Sequence, residues 1–172
     1  VALLLAGLPD TVAGATVNRF CSSGLQAVSM AADRVRLGEA DVMIAAGTES
    51  MSMIPMGGNK ISFSEHIFDS SEDVAIGYGM GITAENLVEK YGISREAQDA
   101  SAAESQRKAC TAIEAGRFDD EITPVLIPQR KGDPIAFARD EQPRAGTTAE
   151  SLGKLKPAFK KDGGKVTAGN SS

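Results

Sequence analysis

The chain has 172 residues, 42% of them hydrophobic and 24% charged, enough for a buried core of one or two domains. A net charge of −5 argues against nucleic acid as a partner. Two cysteines far apart fit a reduced, cytoplasmic setting rather than a disulfide framework, and no apolar run approaches the ~20 residues of a membrane span.

Residues 1–7 read as the end of a helix already under way, without an initiating Met, and too short and unflanked by basic residues for a signal peptide. A turn at Gly7-Leu8-Pro9-Asp10 follows. Residues 16–20, with the β-formers Val17 and Phe20, predict a buried strand that ends at Cys21. From Leu25 the apolar period becomes three to four, at Leu25, Val28, Ala32 and Val35, which predicts a helix stopped by Gly38. Residues 41–47 read as a second buried strand. Strand, helix and strand with short connections predict a parallel, right-handed βαβ unit.

After Gly47 the character changes. Residues 51–73 hold Met, Gly, Pro, Ser and Asn without a period and read as loop. Thr83 is placed as N-cap of a helix with Glu85 in its first turn, Ala84, Leu87, Val88 and Tyr91 on one face, and Gly92 at its end. Ser94 caps the next helix, which is Ala-rich and runs to about Gly116. Residues 121–139, around Val125-Leu126-Ile127, predict short strands and turns. Residues 152–159 form a short amphipathic piece stopped near Pro157, and Val166 returns to a strand. The class is α/β, with no internal repeat and no low-complexity segment.

Cys21 carries the most chemistry. At the N-terminus of a helix, unpaired N–H groups and partial positive charge favour a thiolate, which is the nucleophile, and can stabilise an oxyanion on the carbonyl it attacks. Ser22, Ser23 and Gly24 leave room for a substrate. A buried structural cysteine is the alternative, since free Cys is among the most buried residue types.

Val17-Asn18-Arg19-Phe20-Cys21-Ser22-Ser23-Gly24-Leu25-Gln26-Ala27-Val28 resembles the nucleophile motif of the thiolases. Gly47-Thr48-Glu49-Ser50-Met51-Ser52, Met80-Gly81-Ile82-Thr83-Ala84-Glu85-Asn86, Leu155-Lys156-Pro157-Ala158-Phe159 and Val166-Thr167-Ala168-Gly169-Asn170-Ser171-Ser172 resemble further thiolase segments, in order. The resemblance spans essentially the whole chain. It implies a fragment of the thiolase fold: residues 1–50 as part of the first layered α/β half, and 51–172 as an inserted loop domain that holds coenzyme A. A thiolase subunit is more than twice this long, so a middle piece is expected.

The resemblance makes Cys21 the acyl-accepting nucleophile. It implies that Met80 lies beside the acyl group, that Arg144 meets the adenine or phosphate end of coenzyme A, and that Ser151, Phe159, Ala168 and Ser172 line the pantetheine or adenine channel. Coenzyme A is then a substrate, with no permanently bound cofactor and no metal. Residues 124–172 hold nine Lys and Arg against five acids, net +4, leaving −9 for 1–123. That basic half suits the phosphates of coenzyme A, or is a solvated Lys-rich surface. Met80 and Phe159, read without the family, are core residues, and Arg144 a surface charge.

Three family features are not matched. Cys110, in Arg107-Lys108-Ala109-Cys110-Thr111-Ala112-Ile113, does not fit the Cys-x-Gly-Gly motif of the second catalytic cysteine and reads as helix packing. His66 in Glu65-His66-Ile67 does not fit the Gly-His-Pro motif and reads as a loop residue. The Asn-Glu segment of the oxyanion water is absent. General acid–base help contributes about 10²–10⁴-fold, so these 172 residues alone are expected to be a poor catalyst.

Gly79 stands where the biosynthetic acetoacetyl-CoA enzymes usually carry His, and the ending Ala168-Gly169-Asn170-Ser171-Ser172 resembles the degradative group. The expectation is therefore a degradative 3-ketoacyl-CoA thiolase of fatty acid β-oxidation, acting as a homodimer or homotetramer, with room for a β-oxidation partner subunit. A biosynthetic thiolase, a thiolase-like acyl-CoA-binding protein without cleavage activity and a cysteine hydrolase are the alternatives.

Overall fold

The structure, a computed structural model, describes residues 1–62, 64–68 and 79–171, with the backbone alone for Ile67 and Phe68. Two compact units result, Val1–Phe63 and Ser64–Ser172.

In the first unit a short helix α1 (Ala2–Leu5) turns back on itself, the Leu8 N–H donating to the Leu3 carbonyl at 3.0 Å. Helix α2 spans Ser23–Arg36. It ends as its sequence predicts: Gly38 takes φ +71°, and the Glu39 N–H donates to the Arg34 carbonyl at 3.0 Å. Its apolar face is uncovered, with Leu25 76% and Val28 54% exposed.

The two strands expected around this helix are a correction. Neither 16–20 nor 41–47 joins a ladder among the described residues, and no described residue of 1–62 is buried. Val42 and Ile44 are 80% and 75% exposed. Strand preference reflects packing against neighbours more than any backbone bias. Here the helix forms on local bonds, whereas among the described residues the flanking segments pair with no second strand.

The second unit opens on a 3-10 helix, Glu65–Phe68, and continues into α3 (Met80–Tyr91) and α4 (Arg95–Glu114). Helix α3 starts three residues before the predicted Thr83 cap. Gly79 is the N-cap, and the Thr83 hydroxyl donates to the Gly79 carbonyl at 3.4 Å. Gly92, at φ +62°, closes α3, and the Ile93 N–H donates to the Val88 carbonyl at 3.0 Å. Ser94 caps α4 as expected, its hydroxyl accepting from the Ala97 N–H at 3.0 Å.

Strands β1 (Val125–Ile127) and β2 (Ile135–Phe137) pair antiparallel, with Val125 opposite Phe137 and Ile127 opposite Ile135. Helix α5 (Ala149–Gly153) begins earlier than the predicted 152–159 piece, because Thr148 and Ser151 form a reciprocal capping box. The strand expected at Val166 is reduced to a single bridge between Pro157 and Thr167, with the Ala158 N–H donating to the Val166 carbonyl at 2.9 Å.

Val88, Leu152 and Val166 form the apolar centre, each side chain worth about 1.5–3 kcal/mol when fully buried. Glu85, Asp99 and Thr167 are buried with them. Among the described residues no helix is long and apolar enough to cross a membrane.

Candidate active site

Cys21 sits two residues before the first residue of α2, at the outer corner of a sharp turn, and is exposed. The corner is built by its neighbours. Phe20 takes φ +48°, a left-handed conformation that costs a non-glycine residue about 1–2 kcal/mol. The Asn18 carboxamide oxygen accepts the Phe20 N–H at 2.9 Å. The Ser23 hydroxyl accepts the Arg19 N–H at 2.9 Å and donates to the Phe20 carbonyl at 2.7 Å. Arg19 reaches the Gln26 side chain at 2.8 Å and ties the corner to the second turn of α2. The Asn18 and Ser23 side chains thus hold Phe20 in a strained backbone state, the Arg19–Gln26 bond braces the corner, and the next residue is presented outward.

The sequence placed Cys21 before a helix but put Phe20 in a strand. Phe20 is instead the pivot of the turn. Asn two residues ahead of a corner and Ser three after it are the signals that mark such a turn.

Ser22 is the N-cap of α2 and makes no side-chain cap. Among the described residues, the N–H groups of Gly24 and Leu25 accordingly have no acceptor. An exposed sulfur beside free helix-end donors can attack a carbonyl carbon and leave its oxygen near positive dipoles.

The remaining sequence-predicted site residues belong to the second unit, except that Ser172 lies outside the described residues. Met80 opens α3 and is 72% exposed. The Phe159 ring lies against Gly81, so closely that a Cβ there would overlap it. The structure therefore brings Phe159 onto the residue next to Met80. Ser151 is exposed on α5, its hydroxyl engaged in the capping box, where it donates to the Thr148 carbonyl at 2.8 Å. Ala168 is exposed on a turn in which the Ser171 N–H donates to the Thr167 carbonyl at 3.1 Å. Arg144 is exposed; its N–H donates to the Gln106 side chain at 2.8 Å, and among the described residues its guanidinium has no acidic partner. Cys110 is half-buried within α4, and His66 lies in the 3-10 helix.

Sequence reasoning missed a set of buried polar groups behind these residues. Both oxygens of Glu85 accept the Lys165 N–H, at 2.9 and 3.0 Å, and one also accepts the Val166 N–H at 2.8 Å. Asp99 accepts from Arg95 at 2.7 Å and from Asn170 at 2.9 Å. Asn170 lies 71 positions from Asp99, and Lys165 and Val166 lie 80 and 81 from Glu85, so no local pattern announces those pairs; Arg95 and Asp99 are four apart on one helix face.

Shifted ionisable groups lie on helix surfaces. Glu96 is held below the usual carboxylate range by a hydrogen bond from its own backbone N–H and by the Ser94 hydroxyl. Glu104 is lowered by its hydrogen bonds from Arg107, whose guanidinium is raised in turn. Glu39 raises Arg34 in the same way.

The chain matches the thiolase N-terminal domain over residues 1–172. An acetyl-CoA acetyltransferase of Pseudomonas aeruginosa is 54% identical, covering 99% of this chain and 46% of that protein. A probable acetyl-CoA acyltransferase of Staphylococcus aureus is 48% identical, covering 100% and 46%. The crystal structure of the Bacillus anthracis acetyl-CoA acetyltransferase superposes with TM-score 0.82 at 47% identity, covering 99% of this chain and 45% of that one. The dimeric peroxisomal thiolase of Saccharomyces cerevisiae gives 0.87 at 40%, covering 99% and 43%. The chain spans about half the length of the curated relatives it matches. Fold and sequence agree from end to end, and the chain belongs to the thiolase family, of which it carries the N-terminal domain.

Proposed function

We propose that this domain supplies the nucleophile and the coenzyme A-binding part of a thiolase that cleaves 3-ketoacyl-CoA. Residues 1–50 belong to the layered half that carries Cys21, and 51–172 to the loop domain. The observation that carries the reading is the strained corner, held by Asn18 and Ser23, that exposes Cys21 at the start of α2.

The Cys21 thiolate attacks the 3-keto carbon. The C2–C3 bond breaks, its electron pair leaves as the enolate of acetyl-CoA, and the enolate is protonated. The shortened acyl group stays on Sγ as a thioester, and the thiolate of a second coenzyme A takes it, returning Sγ as the leaving group. The second half exchanges thioester for thioester, and run in reverse the enolate of acetyl-CoA attacks the acyl-enzyme and forms the C2–C3 bond. Family resemblance assigns the proton transfers to a histidine and a second cysteine in motifs that these 172 residues do not contain.

The absence of His at position 79 and the Asn170-Ser171-Ser172 ending support the degradative direction. The names of the Pseudomonas and Bacillus relatives support acetyl as the group on sulfur and favour, as a second reading, the biosynthetic condensation. A homo-oligomer is supported by the yeast thiolase, which is described as dimeric.

The test is mass spectrometry of the full polypeptide after exposure to acetyl-CoA. The expected result is an acetyl adduct on Cys21 that survives in buffer and is discharged by coenzyme A. Rapid discharge by water would identify a hydrolase. An adduct on Cys110 would move the chemistry elsewhere.

A further inference from the structure

Asp99 is 2% exposed, on the second turn of α4. One carboxylate oxygen accepts from Arg95 Nε at 2.7 Å, the other from Asn170 Nδ2 at 2.9 Å. Arg95 does not stop at Asp99. Its terminal nitrogen donates to the carbonyl of Leu152 at 2.7 Å, which also accepts the Leu155 N–H, and to that of Leu155 at 2.9 Å, just past the end of α5. Asn170 is equally committed: its Nδ2 also reaches the Lys165 carbonyl at 3.1 Å, and its Oδ1 accepts the Thr167 N–H at 2.7 Å. One carboxylate therefore fixes both the end of α5 and the 165–170 turn.

A buried ion pair is weak evidence for stability, since apolar packing of the same volume does as well or better. Direction is what it does supply. The guanidinium fork and the carboxamide are planar, and each sets where its partners point. What they hold in place is an outward surface: Ser151 beside Leu152 on α5, and Ala168 within the turn, both exposed. Glu85, on the helix that Met80 opens, grips the same segment at Lys165 and Val166.

We propose that Asp99 is a positioning residue for coenzyme A binding, acting through Arg95 and Asn170 on the segments that carry Ser151 and Ala168. This rests on the reading of residues 51–172 as the part that holds coenzyme A.

Asp99→Asn tests it in the full polypeptide. The new amide keeps the shape but turns an NH₂ toward either Arg95 or Asn170, donor against donor, so one tie is lost. KM for coenzyme A rises about tenfold while kcat stays within about twofold, because the change precedes the chemistry and weakens binding alike in ground and transition states. Arg144→Ala is measured beside it. If Arg144→Ala raises KM and Asp99→Asn does not, the positioning role is overturned and the binding reading stands. If neither moves KM, the binding reading falls and takes the proposal with it. A fall in kcat at constant KM also overturns it. Should Asp99→Asn fail to fold by circular dichroism, Arg95→Lys replaces it. Lysine keeps the charge beside Asp99 but lacks the fork that spans Asp99 and both carbonyls, and the same split between KM and kcat decides.

Discussion

Asn18 and Ser23 show what a residue contributes when its side chain is spent on the backbone. Their three hydrogen bonds hold Phe20 at φ +48° and so aim Cys21 outward. Cys110 has no such setting; it is half-buried in the middle of α4. Alkylation should therefore discriminate. With less than one equivalent of iodoacetamide, peptide mapping should find Cys21 modified several-fold ahead of Cys110, because access and thiol environment set the rate. In the full polypeptide the loss of turnover should follow Cys21 labelling, and Cys110→Ala should stay active. Preferential labelling of Cys110 would show that the corner does not present the reactive sulfur. The cysteine was legible in the sequence from the small residues and the helix after it. The strain was not, because Phe20 has high β-propensity and its left-handed backbone is imposed by partners two before and three after it.

Helices and turns with local signals form where their residues say. Ser94 caps α4, Gly92 closes α3, and the hairpin lies inside the segment expected to hold short strands. Elements defined by distant neighbours do not: the strands at 16–20 and 41–47 need a sheet, and α3 gains three residues before Thr83 where Phe159 packs on its first turn. That contact predicts the effect of Gly81→Ala. Replacing Gly by Ala in a helix interior gains about 0.5–1 kcal/mol, less in the first turn. Forcing a methyl group into occupied space costs about 1–3 kcal/mol. Overpacking should win by about 1 kcal/mol, read as a lower Tm, and Phe159→Ala in the same chain should remove the clash part of the loss. A rise in Tm for the single variant would mean that the ring does not lie on Gly81.

Across the whole molecule the charge is divided, −9 over residues 1–123 and +4 over 124–172. Coenzyme A carries its negative charge on phosphates, far from its thiol, so one ligand needs an apolar channel at one end and cations at the other. Arg144 suits the charged end: Gln106 on α4 fixes its backbone, and its guanidinium is exposed with no acidic partner among the described residues. A solvent-edge contact of this kind is worth ~1 kcal/mol. Arg144→Ala should therefore raise KM for coenzyme A several-fold and leave kcat nearly unchanged, since the lost contact is felt equally before and at the transition state. The field of an exposed charge decays over about 10 Å at 0.1 M salt and over less as salt rises, so raising ionic strength should weaken binding more in the parent than in the variant. The two KM values should converge at high salt. Parallel salt curves would mean that Arg144 does not meet the phosphates, and a collapse of kcat at constant KM would place it in the chemistry or the fold. In either case the cations for the nucleotide end would have to be sought elsewhere.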